Sequence, residues 1–304
     1  EYHQDESNNV IIIKEATPGY EAAKPVILQG HLDMVCEKEA GCGKDMSREG
    51  LDLAVEGDYV YAKGTTLGGD DGIAVAMAMA ILDDDSLSHP AIEAIFTVDE
   101  ETGMYGAEGL DVSVLKGRRM LNMDSEDEGI FTVSCAGGAR ADCCLPVTRY
   151  AFSAPVLEIS VTGLVGGHSG AEIDKGRANS SMLLGRVLCA LEEKTDLRAI
   201  SVCGGLKDNA IPTGSVALVA ADAAAAQAVC AEMDAAFKKE YRVNDPAITV
   251  SVRPAETDLL PLDENSSRSV VCMLTCLPNG IQAMSADMPG LVQTSLNLGI
   301  LTTG

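Results

Sequence analysis

The segment Pro25-Val-Ile-Leu-Gln-Gly-His31-Leu-Asp33 contains a short apolar run that ends in an imidazole and a carboxylate. Two further apolar runs end in the same way: residues 91–98 lead into Asp99-Glu100-Glu101, and residues 119–123 lead into Asp124. Short apolar runs of this kind are typical of buried strands in a parallel sheet. Because ligands gather at the carboxyl ends of such strands, we expect these polar side chains to meet at one site.

A fourth polar cluster, Gly68-Gly-Asp70-Asp71-Gly72, precedes an apolar run that extends to Leu82. The run is rich in alanine and methionine, which predicts a helix, and Asp71 is placed to cap its first turn. Four converging clusters of carboxylates and imidazole predict one metal site for more than one ion, rather than scattered surface charge.

The chain has 304 residues, is 46% hydrophobic and carries a formal net charge of −24. This size and composition predict two domains with a buried core. The negative charge argues against nucleic acid or an anionic membrane as a partner. No run reaches the roughly 18 apolar residues of a transmembrane helix.

The ten cysteines include no Cys-x-x-Cys pair. Buried, reduced thiols in a cytosolic protein explain this pattern most simply, so we expect a cytoplasmic location. Cys272 and Cys276 alone do not predict a structural zinc site, which needs four ligands.

Strands and helices alternate from Val10 to Cys135, which predicts an α/β domain with a largely parallel central sheet. Within it, Glu56-Gly57-Asp58 predicts the turn of a hairpin. The pattern changes around residues 146–155, and the segments after this point predict a second domain of α+β type. Its expected elements are strands at 156–162, 215–220 and 247–253 and helices at 178–193, 223–241 and 267–277. We therefore divide the chain into domains at residues 1–150 and 151–304.

The clusters supply one imidazole and several hard oxygen ligands. A set made of His31, Asp70, Glu101 and Asp124 suits Zn²⁺, with Mn²⁺ or Co²⁺ as substitutes. Asp33 follows His31 by two residues, so both side chains lie on one face of an extended segment. Asp33 could therefore accept the free imidazole N–H and fix the ring tautomer.

Glu100 and Glu101 are neighbours, and we expect their side chains to diverge. One carboxylate can then bind metal while the other takes a proton from a metal-activated water, as hydrolysis requires. Taken alone, each motif also has a structural explanation, as a hydrogen-bonded histidine, a helix cap or an exposed acidic loop. Their common position beside apolar segments, in a consistent α/β order, favours the metal site.

Longer motifs extend these clusters and continue through the second half of the chain. They are His31-Leu-Asp33, Gly64-Thr-Thr-Leu-Gly-Gly-Asp70-Asp-Gly72, Asp99-Glu-Glu-Thr-Gly-Met104, Asn122-Met-Asp-Ser-Glu-Asp-Glu-Gly129, Ser134-Cys-Ala-Gly-Gly138, Gly163-Leu-Val-Gly-Gly-His-Ser-Gly170, Leu206-Lys-Asp-Asn-Ala-Ile-Pro212 and Gly290-Leu-Val-Gln-Thr-Ser-Leu-Asn-Leu-Gly299. In this order they resemble the co-catalytic zinc exopeptidases, and most closely the aminoacyl-histidine (Xaa-His) dipeptidases, also called cytosol non-specific dipeptidases. The resemblance implies a catalytic α/β domain with a central, mostly parallel sheet, incomplete here, and an α+β lid domain.

The same resemblance implies a role for each metal ligand. Asp70 would bridge two zinc ions, His31 and Asp124 would complete one site, and Glu101 would belong to the other.

The resemblance also implies the residues that act on substrate. Glu100 would be the general base, and Asp33 the acid that orients the metal-binding histidine. In the lid, His168 would hold the carboxyl end of the substrate or polarise the scissile carbonyl, and Asn209 would contact substrate. There are also purely structural alternatives: His168 could be a hydrogen-bonded histidine in a turn, and Asn209 could cap a local turn.

The chain departs from the family pattern at the second metal site. In the family, this site takes its final histidine from a segment near the C-terminus. His3 and His89 lie in no matching motif, and the chain stops at Gly304 within the lid-like region. We therefore expect a fragment, cut at both ends, of a protein that binds two Zn²⁺ per active site. On this basis the 304-residue chain itself is expected to be nearly inactive.

The predicted function is metal-dependent hydrolysis of dipeptides of the Xaa-His type, such as β-alanyl-histidine, with broad specificity. The alternatives are a related amidohydrolase, either an aminoacylase or a tripeptidase, and a non-catalytic peptide-binding protein on the same scaffold. The expected partner is a small peptide, and analogy with lids that mediate dimers suggests a homodimer.

Overall fold

The computed structural model describes residues 1–39, 41–125 and 129–304. Within them the chain forms two compact units, Glu1–Ala136 and Gly137–Gly304. Each unit builds a sheet and a hydrophobic core of its own.

The first unit is an α/β structure around a mixed sheet. Its elements are β1 (Tyr2–Gln4), β2 (Val10–Lys14), β3 (Val26–His31), β4 (Leu53–Glu56), β5 (Tyr59–Ala62), α1 (Gly72–Asp83), β6 (Ile92–Thr97), α2 (Tyr105–Glu108) and β7 (Met120–Asn122). Strands β1, β2, β6, β3 and β7 lie side by side in that order. Strand β3 runs parallel to both of its neighbours, β6 and β7, whereas β2 pairs antiparallel with β1 and β6.

The three strands that lead into polar clusters are therefore neighbours, as the sequence predicts, and they form the parallel half of the sheet. The antiparallel half results partly from the short turn between β1 and β2, because a short connection can join only antiparallel strands. The predicted hairpin is also confirmed: β4 and β5 pair antiparallel around Gly57, whose φ of 60° favours glycine.

Apolar side chains cover both faces of this sheet. Leu28 and Phe96 pack with Ala78 of α1 on one face, whereas Ile27 and Ile95, one residue earlier in the same strands, pack on the other. The burial of both faces explains why the first three residues of β3 and four of the six residues of β6 are apolar.

A buried carboxylate fixes the approach to β7. Glu93 in the middle of β6 is 2% exposed, and its two carboxylate oxygens accept the backbone N–H groups of Lys116 at 2.8 Å and Gly117 at 3.0 Å. Hydrogen bonds to backbone donors satisfy a buried charge. They also hold the turn that starts the strand preceding Asp124.

The second unit is an α+β structure. Its elements are β8 (Val156–Thr162), α3 (Ser180–Glu192), β9 (Arg198–Gly204), β10 (Ser215–Ala220), α4 (Ala223–Glu240), β11 (Thr249–Pro254), α5 (Glu264–Cys276), β12 (Gly280–Met284) and β13 (Val292–Leu296). The sheet has the strand order β11, β8, β10, β9 and is antiparallel throughout. Helices α3, α4 and α5 share its core, and β12 and β13 form a separate antiparallel ribbon.

Most elements of this unit lie where the sequence places them, with two differences. Helix α5 begins three residues before the predicted start because the Asp263 side chain accepts the N–H of Ser266 and caps an earlier turn. Strands β9, β12 and β13 lie outside the predicted strands.

Candidate metal centre and substrate-contacting loops

His31 is the last residue of β3 and is 1% exposed. Its Nδ1 lies 2.9 Å from the backbone carbonyl oxygen of Asp33. Because a carbonyl can only accept, Nδ1 carries a proton, which leaves Nε2 as the nitrogen that can bind a metal ion. That nitrogen lies 3.3 Å from Oδ1 of Asp70 and 3.8 Å from Oδ1 of Asp124. The ring is therefore oriented as a metal ligand needs to be.

The partner of the imidazole N–H differs from the sequence prediction. The Asp33 carboxylate oxygen lies 3.6 Å from Nδ1, farther than the backbone oxygen of the same residue. Strand β3 ends at His31, so the alternation of an extended chain does not continue to residue 33. The carboxylate instead accepts the backbone N–H of Glu100 through Oδ1 and that of Glu101 through Oδ2, both at 3.0 Å.

Asp70 and Asp71 precede α1, and the peptide bond between them is cis. Asp71 occupies the N-cap position, but its side chain makes no capping hydrogen bond, which corrects the sequence prediction. The side chain is 1% exposed, with no hydrogen-bond partner for Oδ2, and burial raises the pKa of this carboxyl. Gly30 makes room for it, since a Cβ there would lie 2.7 Å from Oδ2.

Asp124 follows β7 and completes the first group of ligands. Each of His31, Asp70 and Asp124 has one potential ligand atom within 4.8 Å of those of the other two. Burial and the neighbouring Asp70 carboxylate raise the pKa of Asp124 to about 6. Of the surrounding Asn122–Gly129 motif, Glu126, Asp127 and Glu128 lie outside the described residues.

Glu100 and Glu101 form a second group with the same histidine. Ligand atoms of His31, Glu100 and Glu101 lie within 4.8 Å of one another. Both carboxylates therefore face the imidazole, whereas the sequence predicts that they diverge. The reason is the loop itself: it is held by its backbone to Asp33, and Asp99 adopts a left-handed φ of 54°, which turns the chain sharply before the two glutamates.

Asn9 holds the other side of this loop. It is fully buried, its Oδ1 accepts the N–H of Val98 at 3.2 Å, and its Nδ2 donates to the carbonyl of Gly106 at 2.8 Å. The two bonds clamp the beginning and the end of the segment that contains the glutamates. Sequence reasoning missed Asn9, because an asparagine in a turn before a strand has many ordinary explanations.

The donor set fits divalent metal ions. Four carboxylates surround one imidazole, and no lysine or arginine in the described part of the chain forms an ion pair with them. Burial opposes protonation of His31, but the charge of Asp124 and the hydrogen bonds to Asp33 and Asp70 raise its pKa. Such an excess of negative charge calls for cations, and a set of one nitrogen with hard oxygens suits Zn²⁺.

His168 and Asn209 lie together in the second unit, and both are exposed. His168 pairs with Ala210 in a β-bridge, and the N–H of Ser169 donates to the carbonyl of Asn209 at 2.8 Å. Nδ1 of His168 accepts the backbone N–H groups of Gly170 at 3.0 Å and Ala171 at 3.1 Å. The proton of the neutral ring therefore resides on Nε2, which is free to donate.

Asn297, the residue after β13, supports the Asn209 loop. Its Nδ2 donates to the carbonyls on either side of Asn209, those of Asp208 at 3.2 Å and Ala210 at 2.8 Å. Its Oδ1 accepts from Asn179, the N-cap of α3. The sequence places Asn297 within the Gly290–Gly299 motif but indicates no role for it.

No helix in the described part of the chain is both long enough and apolar enough to cross a membrane. The model of peptidase family M20/M25/M40 matches residues 27–255, which include both glutamates and all the predicted metal ligands.

Two relatives are similar over almost the whole chain. The cytosol non-specific dipeptidase of Escherichia coli (strain K12) is 36% identical over 98% of this chain and 63% of its own length. The crystal structure of the aminoacylhistidine dipeptidase of Vibrio alginolyticus has a TM-score of 0.72 at 36% identity, over 100% of this chain and 63% of that one.

A more distant relative, the uncharacterized protein YqjE of Bacillus subtilis (strain 168), is 29% identical over 53% of this chain and 42% of its own. The chain thus spans less than two thirds of the length of each of these proteins. The match to the family model covers well over half of the chain and includes the polar clusters described above. The chain belongs to peptidase family M20/M25/M40.

Proposed function

We propose that this protein is a metal-dependent dipeptidase that cleaves dipeptides of the Xaa-His type. The observation that supports this most directly is the convergence of His31 with Asp70 and Asp124 on one side and with Glu100 and Glu101 on the other. Two relatives that are 36% identical are described as dipeptidases, one of them as an aminoacylhistidine dipeptidase. The family match supports hydrolysis of peptide bonds.

The ligands we propose are His31, Asp70, Glu101 and Asp124, with Zn²⁺ as the ion and two ions in each active site. Asp70 is the proposed bridge, since it is the exposed carboxylate nearest to the histidine Nε2. Metal ions bound there would polarise the scissile carbonyl and lower the pKa of water toward about 7.

Glu100 is the proposed general base. Burial, opposed by His31 but aided by the nearby Glu101, Asp33 and Asp70 carboxylates, raises its pKa. A carboxylate with a raised pKa accepts a proton from the attacking water more readily and can return it to the leaving amine. Asp33 positions this base through the backbone of the loop.

Residues 1–150 are the proposed metal-binding catalytic domain and residues 151–304 the proposed lid. In the lid, His168 offers an Nε2–H group and Asn209 an exposed amide, which suit the carbonyl and carboxylate oxygens of a peptide. By analogy with the relatives we further propose a cytoplasmic location and a homodimer.

Substrate selection and metal dependence test this proposal together. The full-length protein is treated with chelator, reloaded with Zn²⁺, Mn²⁺ or Co²⁺, and assayed with β-alanyl-histidine, other dipeptides, tripeptides and N-acetyl amino acids. We expect hydrolysis of dipeptides only, restored by metal. Preferred cleavage of tripeptides or N-acetyl amino acids would instead assign the protein to the tripeptidases or aminoacylases.

A separate binding experiment covers the metal centre itself. Zn²⁺ titration by calorimetry should show high-affinity binding that His31→Ala and Asp124→Asn remove. Binding that survives both substitutions would contradict the proposed ligands, whatever the activity.

A further inference from the structure

Two thiols lie side by side on the outer face of the last two turns of α5. Cys272 and Cys276 are one helical turn apart, both are exposed, and their sulfur atoms are 3.9 Å apart. Residues at this spacing are neighbours on a helix surface. In the described part of the chain no other two cysteine sulfurs are in hydrogen-bonding contact.

The distance between the two sulfurs suits chelation of a metal ion. A tetrahedral ion with metal–sulfur bonds of about 2.3 Å holds two thiolates about 3.8 Å apart. The observed 3.9 Å matches this metal geometry. The pair can therefore chelate an ion without leaving its helical positions.

The surroundings favour a cation. The last turn of α5 contains no basic residue, and the C-terminus of a helix carries partial negative charge. Glu192 of α3 acts electrostatically on Cys272. The nearest guanidinium on the same helix face, that of Arg268, lies 3.8 Å from Glu192 and 3.8 Å from Glu264, and these carboxylates offset its charge.

We propose that Cys272 and Cys276 form a surface site for a thiophilic divalent cation of the Zn²⁺ and Cd²⁺ class. Two sulfur–metal bonds form, two thiol protons are released to solvent, and water fills the remaining positions. Because the protein supplies only two ligands, the ion is exchangeable and is not a structural zinc. The site lies in the second unit and does not depend on the proposed hydrolysis.

The protons of the two thiols must leave when a metal ion binds. The neighbouring Cys276 on the next turn raises the pKa of Cys272, which favours the protonated thiol of Cys272 in the absence of metal. Binding is then a competition between the ion and two protons, and affinity should rise with pH by up to about 100-fold per unit.

Cadmium is the probe, because its bonds to sulfur give an ultraviolet charge-transfer band that bonds to oxygen and nitrogen do not. The reduced protein is titrated with Cd²⁺, and the band is compared in Cys272→Ser, Cys276→Ser and the double variant. The metal centre at His31 contains no cysteine among its proposed ligands and does not contribute to the band. We expect the double variant to lose the band and each single variant to bind at least about 10-fold more weakly.

The adjacent cysteines Cys143 and Cys144 provide a matched control. They are also exposed, but their sulfurs make no such contact, so Cys143→Ser/Cys144→Ser should leave the band unchanged. Alkylation of the unmodified protein gives a readout that does not rely on variants: Cd²⁺ should protect Cys272 and Cys276 together. A band that persists in the double variant, or alkylation of both thiols at an unchanged rate, would overturn the proposal.

Discussion

The Asp33 carboxylate accepts the backbone N–H of Glu100 at 3.0 Å and contacts the ring of His31 only at 3.6 Å. Asp33, two residues after the proposed metal ligand His31, therefore acts mainly on the loop that contains the proposed base. Each carboxylate oxygen holds one amide, so both oxygens are needed to fix the loop.

We expect Asp33→Asn to lower kcat by about 10- to 100-fold, with little change in KM, because an amide retains only one acceptor oxygen. Asp33→Glu should restore part of the rate. Steady-state kinetics on the metal-loaded full-length protein measures both. Equal activity of the Asn variant and the parent would mean that the clamp has no catalytic role.

Substitutions of Glu100 and Glu101 should affect catalysis and metal binding differently. Glu100→Gln should reduce hydrolysis by about 10²- to 10⁴-fold while Zn²⁺ still binds, because it removes a proton acceptor. Glu101→Gln should weaken metal binding as well. Calorimetry and kinetics on the same preparations of the full-length variants distinguish the two, and loss of metal to the same extent in both variants would contradict the assignment.

Asp124 predicts an unusual pH dependence for the metal-free protein. Its pKa in the folded state, about 6, lies above the ordinary value of 3.8. The folded protein therefore holds this proton more tightly than the unfolded chain does. The contribution of Asp124 to stability is greatest below pH 3.8 and is lost as pH rises through about 6.

At neutral pH, Asp124→Asn should therefore stabilise the metal-free protein by about 1 to 2 kcal/mol and weaken metal binding. Urea unfolding with chelator at several pH values measures the difference. The exposed hairpin residue Asp58 provides a control, because Asp58→Asn removes the same charge outside the proposed metal centre and should leave the stability at neutral pH unchanged. A metal-free Asp124→Asn variant no more stable than the parent at neutral pH would contradict the prediction.

Gly30→Ala should destabilise the first unit by about 1 to 3 kcal/mol through overpacking. The added methyl group would lie 2.7 Å from Oδ2 of Asp71 and 2.7 Å from Cβ of Ala74. Gly50→Ala is the matched control, since nothing lies within 4 Å of a Cβ there. Comparable unfolding midpoints for the two variants would show that Asp71 and Ala74 can shift to accommodate the methyl group at little cost.

Asn297→Ala should loosen the Asn209 loop, because it removes the two hydrogen bonds to the flanking carbonyls. Hydrogen exchange should then accelerate at Ser169 and Ile211, whose amides bond across to this region. The exposed Asn265 on α5 serves as a control, with no change expected at either amide. Unchanged exchange in the Asn297 variant would remove this residue from its supporting role.

Much of the fold was predictable because burial on both faces leaves short apolar runs, as at the start of β3 and in much of β6. The proposed ligands His31, Asp70 and Asp124 could also be grouped, since each adjoins such a run or a helix start. The bonds of Asp33, Asn9 and Asn297 could not be predicted. Their partners are backbone amides and carbonyls, which every residue possesses, so no pattern of side chains marks them.

Asp71 illustrates a second limit of prediction. A carboxylate before a helix predicts a cap, but here the absence of a side chain at Gly30 opens a space that the carboxylate fills instead. Gly30 and Asp71 are 41 positions apart in the sequence. Helix and cap preferences depend on nearby residues only, so they do not show that these two residues are in contact.

The fixed ring of His168 has a consequence for how a peptide is oriented. With Nδ1 committed to two backbone amides, the neutral ring can only give a hydrogen bond at its outer edge. An oxygen lone pair fits that edge, whereas an ammonium group, which has only protons to offer, does not. In the proposed complex, this N–H would therefore favour a carbonyl or carboxylate oxygen of the peptide over its N-terminal ammonium group.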